Sequence, residues 1–252
     1  MHQFAKYIQI LGKGRKGMRS LTQDEAYEAM QMITCYDVEP EQLGAFLMLM
    51  RVKEETAEEV AGFTRALKES LPTHDKQLSP SIDWAAYAGK KRQLPWFVLA
   101  ALILVRRGYN ASLSLIGVFH PNYASIHTQA AAQIGSRKVL VCKGEGGEFE
   151  RIPERPVQLN GSDNGNVWDE EWKPLMKPGT TLREQHLNLH HYRAVWEGEA
   201  EDSYGEAAVI GTLAMVIKAL GVEASEQSAH RLATLWWHER QQCDTSREAV
   251  VS

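Results

Sequence analysis

The sequence is poor in cysteine, has no long apolar run and shows no internal repeat. Its three cysteines among 252 residues are widely spaced and lack CxxC partners: Cys35, Cys142 and Cys243. This spacing argues against a disulfide framework or a zinc site and favours a reducing compartment. The longest apolar run, Trp96 to Val105, is too short to cross a bilayer, and no signal-peptide core follows Met1. We therefore expect a cytoplasmic protein with no membrane partner.

Acidic residues are missing from two stretches, although the formal net charge is -4. Residues 1–23 and 84–144 contain no Asp or Glu, yet they hold thirteen of the 28 Lys and Arg residues. Such sorting can give a strongly positive face despite an acidic isoelectric point. The candidate phosphate-contacting residues are Lys13, Arg15, Lys16, Arg19, Lys90, Lys91, Arg92, Arg106, Arg107, Arg137, Lys138 and Lys143. The alternative interpretation of these clusters is a set of solvated loops and snorkelling lysines.

Helical signals dominate residues 1–71. Apolar residues at helical spacing predict a helix over residues 4–11, and Thr22 with Glu25 forms a capping box that predicts the start of the next helix. Residues 41–51 are apolar almost all round, which predicts a centrally buried helix. A further helix opens with the acidic segment 54–59 and runs to Ser70. We assign residues 1–71 to a helical domain and residues 72–81 to a linker.

Residues 82–252 combine helical patterns with a short buried strand. The predicted helices cover residues 96–107, 123–134, 207–220 and 225–239, and the predicted strand covers residues 139–142 before a glycine loop. Residues 160–180, rich in Asn, Gly, Asp and Pro, predict a long exposed loop. The fold class is therefore α/β, with an N-terminal helical domain and a larger α/β domain.

Several segments resemble the anthranilate phosphoribosyltransferase-like family of glycosyltransferases. The likeness is densest in residues 41–51 and 58–66, and it returns in 139–147, 191–198 and 206–214. The resemblance implies the helical-plus-α/β fold of nucleoside phosphorylases and phosphoribosyltransferases. It also implies a homodimer formed through the helical part.

Three departures from the family pattern argue against phosphoribosyl transfer. Residues 88–92 replace the Gly-Thr-Gly-Gly-Asp turn that cradles pyrophosphate. A strand–loop–helix block is missing where Asn110 meets Ala111. The acids Glu148 and Glu150 are separated where the family has an adjacent Asp-Glu pair, which weakens a magnesium site. We therefore assign no catalytic residue, no metal and no cofactor.

One branch of the family resembles this chain further, in residues 89–96 and in the Phe-His-Pro-Asn-Tyr-Ala motif of residues 119–124. That branch binds DNA as homodimers, so the resemblance implies a DNA-binding protein of low sequence specificity that contacts the DNA or RNA backbone. One alternative is a glycosyltransferase, such as a phosphoribosyltransferase or nucleoside phosphorylase, acting on a small phosphorylated substrate. Another is a protein-interaction module that uses residues 54–59 and 160–180.

Aromatic and histidine residues offer weaker signals. Trp84, Tyr87 and Trp96 lie among the basic residues and could stack on bases, although core packing is the simpler interpretation. The histidines at positions 186, 190 and 191 have metal-compatible spacing but no carboxylate completes a ligand pattern. His120 precedes Pro121, and we interpret it as part of a structural turn.

Overall fold

The computed structural model describes residues 2–14, 16–71, 82–86, 94–109, 112–179 and 187–241. The chain divides into two compact units. The first contains Met1–Ser79, Ser125–Ser136 and Asn164–Asn166, and the second contains Pro80–Ala124, Arg137–Asp163 and Val167–Ser252. The Asn110–Ala111 junction lies outside the described residues, so the missing block and the boundaries at 71 and 81 stay predictions.

The first unit begins with four helices: α1 (Ala5–Gly12), α2 (Gln23–Thr34), α3 (Pro40–Lys53) and α4 (Ala57–Ser70). The predicted capping box at Thr22 and Glu25 is confirmed, since the Thr22 side chain accepts from the Glu25 N–H and the Glu25 side chain accepts from the Thr22 N–H. Thr56 and Glu59 form a second capping box at the start of α4. Both boxes satisfy backbone donors that the first helical turn leaves open.

Aromatic residues form the core of this helical bundle. The ring centroid of Phe4 lies 5.3 Å from that of Phe46 in an edge-on arrangement, and the ring centroid of Phe46 lies 6.2 Å from that of Phe63. The prediction that α3 is buried all round is wrong. Only Phe46 and Met50 of α3 are buried, whereas Leu47 and Met48 are more than half exposed. One face of this helix suffices to close the core, so its remaining apolar side chains lie on the surface of the chain.

The second unit is built on a five-stranded sheet. Its strands are β1 (Ile82–Ala85), β2 (Leu113–Gly117), β3 (Lys138–Cys142), β4 (Val157–Asp163) and β5 (Asn166–Trp172), in that spatial order. Strands β1, β2 and β3 are parallel, and β4 runs antiparallel to β3. The helices of this unit are α5 (Trp96–Arg106), α7 (Leu189–Glu197), α8 (Ser203–Leu220) and α9 (Glu226–His238). Helix α6 (Asn122–Gln133) begins in this unit and lies for most of its length in the first one. The structure confirms the α/β fold class and the predicted strand at residues 139–142.

The segment 160–180 was predicted as a loop, and this prediction is wrong for its first half. Strands β4 and β5 form a hairpin whose two-residue turn is Asn164–Gly165, with φ values of 47° and 86°. An Asn-Gly pair with both φ positive is the preferred two-residue hairpin turn. The Asn, Gly, Asp and Pro residues of the whole segment favoured a loop, although Asn164–Gly165 alone indicates a hairpin turn.

Helix α8 is the centre of the second unit. It packs against α5, α9 and β3, and eleven of its residues are buried. Its length and mean hydropathy of 1.3 would suit a membrane span, but 72% of the segment is buried inside the fold. Burial of α8 in the core of the second unit accounts for its apolar composition.

Candidate active site

The carboxyl ends of β1, β2 and β3 lie along one edge of the sheet. Their register pairs Ala85 with Ile116 and Gly117 with Cys142, so the segments that leave these strands begin side by side. Ligands of parallel α/β sheets bind at this edge because the connecting loops and helix N-termini converge there. We therefore place the candidate active site at this carboxyl edge, formed by residues 85–86, 117–121 and 142–150.

The glycine loop after β3 is folded tightly against the end of β2. A Cβ at Gly117 would lie 2.1 Å from the Gly147 carbonyl oxygen, and a Cβ at Gly144 would lie 1.8 Å from the Glu148 carbonyl oxygen. Gly146 and Gly147 adopt left-handed conformations with φ of 64° and 83°. Each of these positions therefore requires glycine, either for space or for backbone conformation.

Two carboxylates of this loop, Glu148 and Glu150, are buried at the carboxyl edge. Glu150 accepts a hydrogen bond of 2.9 Å from the Phe97 backbone N–H, in the first turn of α5. The partial positive charge of a helix N-terminus stabilises a carboxylate in this position. Nearby, the Tyr192 hydroxyl donates to the Pro95 carbonyl oxygen at 2.7 Å, and burial together with the Glu150 charge raises the pKa of Tyr192.

Aromatic side chains pack beneath the carboxyl edge. The Trp84 Nε1–H donates to the Phe149 carbonyl oxygen at 3.2 Å, and the two rings meet edge-on at 5.6 Å. Trp96 is buried in the same core. The core-packing interpretation of both tryptophans is thus confirmed, while Tyr87 lies outside the described residues. Burial raises the pKa of the Cys142 thiol to about 12, so this sulfur is not a nucleophile at neutral pH.

Among the described candidate phosphate contacts, four cations already have partners within the chain. Arg107 pairs with Glu239 at 2.6 Å, and Arg19 pairs with Glu25 at 2.6 Å. Arg106 donates to the Arg240 carbonyl oxygen, and Lys138 donates to the Leu220 carbonyl oxygen and pairs with Asp163. Segments that contain no acidic residue therefore still have acidic residues of other segments beside them in the fold. Lys13, Lys16, Arg137 and Lys143 are exposed, and Arg15, Lys90, Lys91 and Arg92 lie outside the described residues.

The histidines do not form a metal site in the described part of the chain. His191 instead pairs with Asp202 at 3.1 Å, and no group of three potential metal ligands occurs among the described residues. His186 lies outside them. His120 is exposed beside Phe119, and its carbonyl oxygen accepts from Tyr123 N–H at the start of α6, which confirms its place in a structural turn.

Sequence reasoning missed the cap that Glu150 provides to α5 and the hydrogen bond of Tyr192 to Pro95. The partners are 53 and 97 residues apart in the chain. A local pattern contains no signal for contacts at such separations.

The chain thus combines a helical bundle with a unit built on a mixed α/β sheet. A glycine loop lies at the carboxyl edge of that sheet. Residues 6–71 match the family described as "Glycosyl transferase family, helical bundle domain". This match covers 66 of the 252 residues and concerns the helical bundle alone.

The curated relatives are anthranilate phosphoribosyltransferases. The protein of Geobacillus sp. (strain WCH70) is 30% identical over 128 residues, which is 51% of this chain and 36% of the relative. The protein of Beijerinckia indica is 43% identical over 71 residues, 28% of this chain and 20% of the relative. The matched segments thus span about a third or less of the length of these relatives.

Solved structures of anthranilate phosphoribosyltransferases share the fold over most of this chain. The enzyme of Thermus thermophilus has a TM-score of 0.65 at 16% identity, covering 94% of both chains. The Saccharomyces cerevisiae enzyme in complex with PRPP and Mg has a TM-score of 0.62 at 13% identity, covering 94% of this chain and 93% of the other. At these identities the likeness establishes the fold, which confirms the expected helical-plus-α/β architecture.

The prediction of a DNA-binding protein with a DNA or RNA backbone partner is wrong. The relatives and structural neighbours are phosphoribosyltransferases, and none of these comparisons indicates a nucleic-acid partner. The physical reason lies in the cations of the second unit, because Arg106, Arg107 and Lys138 are held by groups of the chain. The preference for a binding protein over an enzyme is not supported either. The expected homodimer is untested by a single chain.

Proposed function

We propose that this protein is a glycosyltransferase of the phosphoribosyltransferase type that acts on a small phosphorylated substrate at the carboxyl edge. The observation that carries this proposal is the shared fold with anthranilate phosphoribosyltransferases over 94% of this chain, one of them in complex with PRPP. The converging ends of β1, β2 and β3 provide a site of the kind in which parallel sheets bind ligands.

Transfer from phosphoribosyl pyrophosphate breaks the bond between the anomeric carbon and the pyrophosphate oxygen. A bond from that carbon to an acceptor nitrogen forms, the acceptor loses one proton, and pyrophosphate leaves as an anion. The protein must therefore orient two substrates and stabilise the charge of the leaving group. Lys90, Lys91 and Arg92 precede α5 in the sequence without any intervening acid. We assign them to the phosphate groups of the donor.

The acceptor side of the proposed site is the aromatic segment after β2. Phe119 is 60% exposed, and its ring centroid lies 5.0 Å from that of His120. An exposed aromatic ring at a ligand-binding edge suits contact with a planar acceptor, because offset and edge-on ring pairs are both favourable. The acceptor class that fits is an aromatic amine, as the name of the relatives suggests.

The buried acids of the carboxyl edge do not fit a magnesium site. Magnesium in phosphate-binding sites retains several waters and takes one or two accessible carboxylates. Glu148 and Glu150 are both only 1% exposed, and Glu150 already accepts from the Phe97 N–H. We therefore assign donor binding to the cations and backbone of the chain, and no step to a metal.

Release of pyrophosphate tests the proposed activity. The full chain is mixed with phosphoribosyl pyrophosphate and anthranilate, and pyrophosphate is measured with and without each substrate. We expect acceptor-dependent release that is lost in the triple variant Lys90→Ala, Lys91→Ala, Arg92→Ala. The matched control, Arg51→Ala with Lys68→Ala and Arg193→Ala, removes the same charge from exposed positions elsewhere and should retain the activity. Equal release in both triple variants would refute the assignment of the donor site.

A further inference from the structure

An open groove with a volume of about 560 Å³ lies on the surface of the helical bundle beside α1. Three cations, one amide, two glycines and one isoleucine line it, and we call it the α1 groove: Lys6, Gln9, Ile10, Gly12, Lys13, Gly17 and Arg19. A volume of this size falls within the range of small-molecule sites. The α1 groove belongs to the first unit and contains no residue of the carboxyl edge.

The loop that borders the α1 groove is closed back onto α1. Gly14 has a φ of 78°, its carbonyl oxygen accepts from the N–H groups of Gly17 and Met18, and the Arg19 N–H donates to the Ile10 carbonyl oxygen. A Cβ at Gly17 would lie only 3.1 Å from the Lys13 Cγ. The absence of a side chain at Gly17 therefore leaves room for the aliphatic part of Lys13, which lines the groove.

The charges around the α1 groove favour an anion. Arg19 is held by Glu25 at 2.6 and 2.7 Å, and Lys6 is held by Glu28 at 3.0 Å. No hydrogen bond or ion pair of the Lys13 side chain is found among the described residues, and Lys13 is exposed. One cation after α1 would suit the negative end of that helix. Three cations line the α1 groove, which is more than the C-terminal end of one helix requires.

The ion pairs at the rim are exposed and can exchange partners at little cost. The side chains of Lys6, Glu28 and Arg19 are about half exposed and that of Glu25 is 26% exposed, and exposed pairs contribute little to stability. A phosphate group offers the Arg19 guanidinium the same two-point geometry that the Glu25 carboxylate provides. We propose that the α1 groove binds a small phosphorylated anion, of the size of a sugar phosphate, through Lys6, Lys13 and Arg19.

Titration with inorganic pyrophosphate tests this site. Backbone amide signals of the isotopically labelled full chain are followed by NMR, and we expect saturable shifts for Gly12, Gly14 and Gly17. Lys13→Gln should weaken this binding roughly tenfold, as expected for the loss of a charge-assisted contact. Glu25→Gln should tighten it roughly twofold to fivefold, because Arg19 is released while a glutamine can still complete the capping box.

Two controls separate this site from general charge effects and from the carboxyl edge. Glu41→Gln makes the same charge change at an exposed position in the first turn of α3 and should leave the midpoint unchanged. The triple variant at Lys90, Lys91 and Arg92 should leave these glycine shifts intact, so failure of the proposed function would not remove them. The proposal is overturned by an absence of saturable shifts, by a Lys13→Gln midpoint equal to that of the wild type, or by equal effects of Glu25→Gln and Glu41→Gln.

Discussion

Glu59 is a buried charge that links three parts of the helical bundle. It is fully buried and accepts hydrogen bonds from the Leu21 N–H at 2.8 Å, the Lys53 ammonium at 2.6 Å and the Thr56 N–H at 2.9 Å. Lys53 is itself only 8% exposed. The carboxylate therefore holds the segment before α2 and the end of α3 at the start of α4.

Replacing Glu59 should be severely destabilising. Glu59→Ala leaves the Lys53 ammonium and two backbone donors without their acceptor, and loss of one partner of a buried pair costs about 3–5 kcal/mol. Chemical denaturation followed by circular dichroism measures the change in the free energy of unfolding. Glu58→Ala, at the neighbouring exposed position, should change it by less than about 0.5 kcal/mol. Similar values for the two variants would contradict this role of Glu59.

The pair of Arg19 and Glu25 makes stability depend on pH in the acid range. The Arg19 guanidinium lowers the pKa of the Glu25 carboxyl from 4.5 to about 2. Because the folded pKa lies below the unfolded one, this stabilisation is complete above about pH 4.5 and is lost as the pH falls towards 2. An NMR titration of the Glu25 carboxyl carbon should give a midpoint near 2. In Arg19→Gln the midpoint should move up towards 4.5, and an unchanged midpoint would show that the pair does not form.

Roles of individual residues were predictable where their partners are local. Thr22 and Glu25 are three residues apart, so the capping box follows from the sequence. Glu59 and Leu21 are 38 residues apart, and Glu150 and Phe97 are 53 residues apart. Their contacts depend on how the elements pack, which no short pattern encodes.

At the scale of elements, the glycine loop and β2 form one tightly packed unit. Gly117→Ala should destabilise the protein by about 1–3 kcal/mol, because the new Cβ would lie 2.1 Å from a backbone oxygen of the loop. The same variant should lose donor binding, since the loop borders the candidate active site. Thermal unfolding and calorimetry measure the two effects.

Gly44→Ala is the matched control within a helix. Apart from its chain neighbours and the backbone of its own helix, no atom of the described residues lies within 4 Å of a Cβ built at Gly44 in α3. Alanine there should stabilise the protein by about 0.5–1 kcal/mol through its higher helix propensity. The change in the free energy of unfolding should thus have opposite signs for Gly117→Ala and Gly44→Ala. A loss of stability in both variants would contradict the packing described for α3.

The helices were predicted more accurately from sequence than the strands. Helical patterns placed α4, α5, α6 and α9 close to their observed bounds and the capping box gave the start of α2, whereas α8 begins four residues before its predicted start at residue 207. Strands β1 and β2 have four and five residues, and strands this short offer too few positions for a periodic signal. The hairpin of β4 and β5 was detectable from Asn164–Gly165, but the surrounding polar residues favoured a loop.

At the scale of the whole molecule, sequence reasoning found the architecture and misassigned the function. The helical signals of residues 1–71 and the strand with its glycine loop led to the correct fold class. The resemblance to a DNA-binding branch of the family, supported by the count of charges along the chain, led to a nucleic-acid partner. That count failed because folding brought acids from distant segments, such as Glu239 and Asp163, next to Arg107 and Lys138.

Calorimetric titration of the full chain with phosphoribosyl pyrophosphate tests the central claim most directly. We predict saturable binding of the donor, unchanged when Mg²⁺ is replaced by a chelator, because the buried Glu148 and Glu150 do not form a magnesium site. The triple variant at Lys90, Lys91 and Arg92 should show no saturable heat. An absence of donor binding by the wild type, with tight and steeply salt-dependent binding of duplex DNA instead, would refute the proposed function.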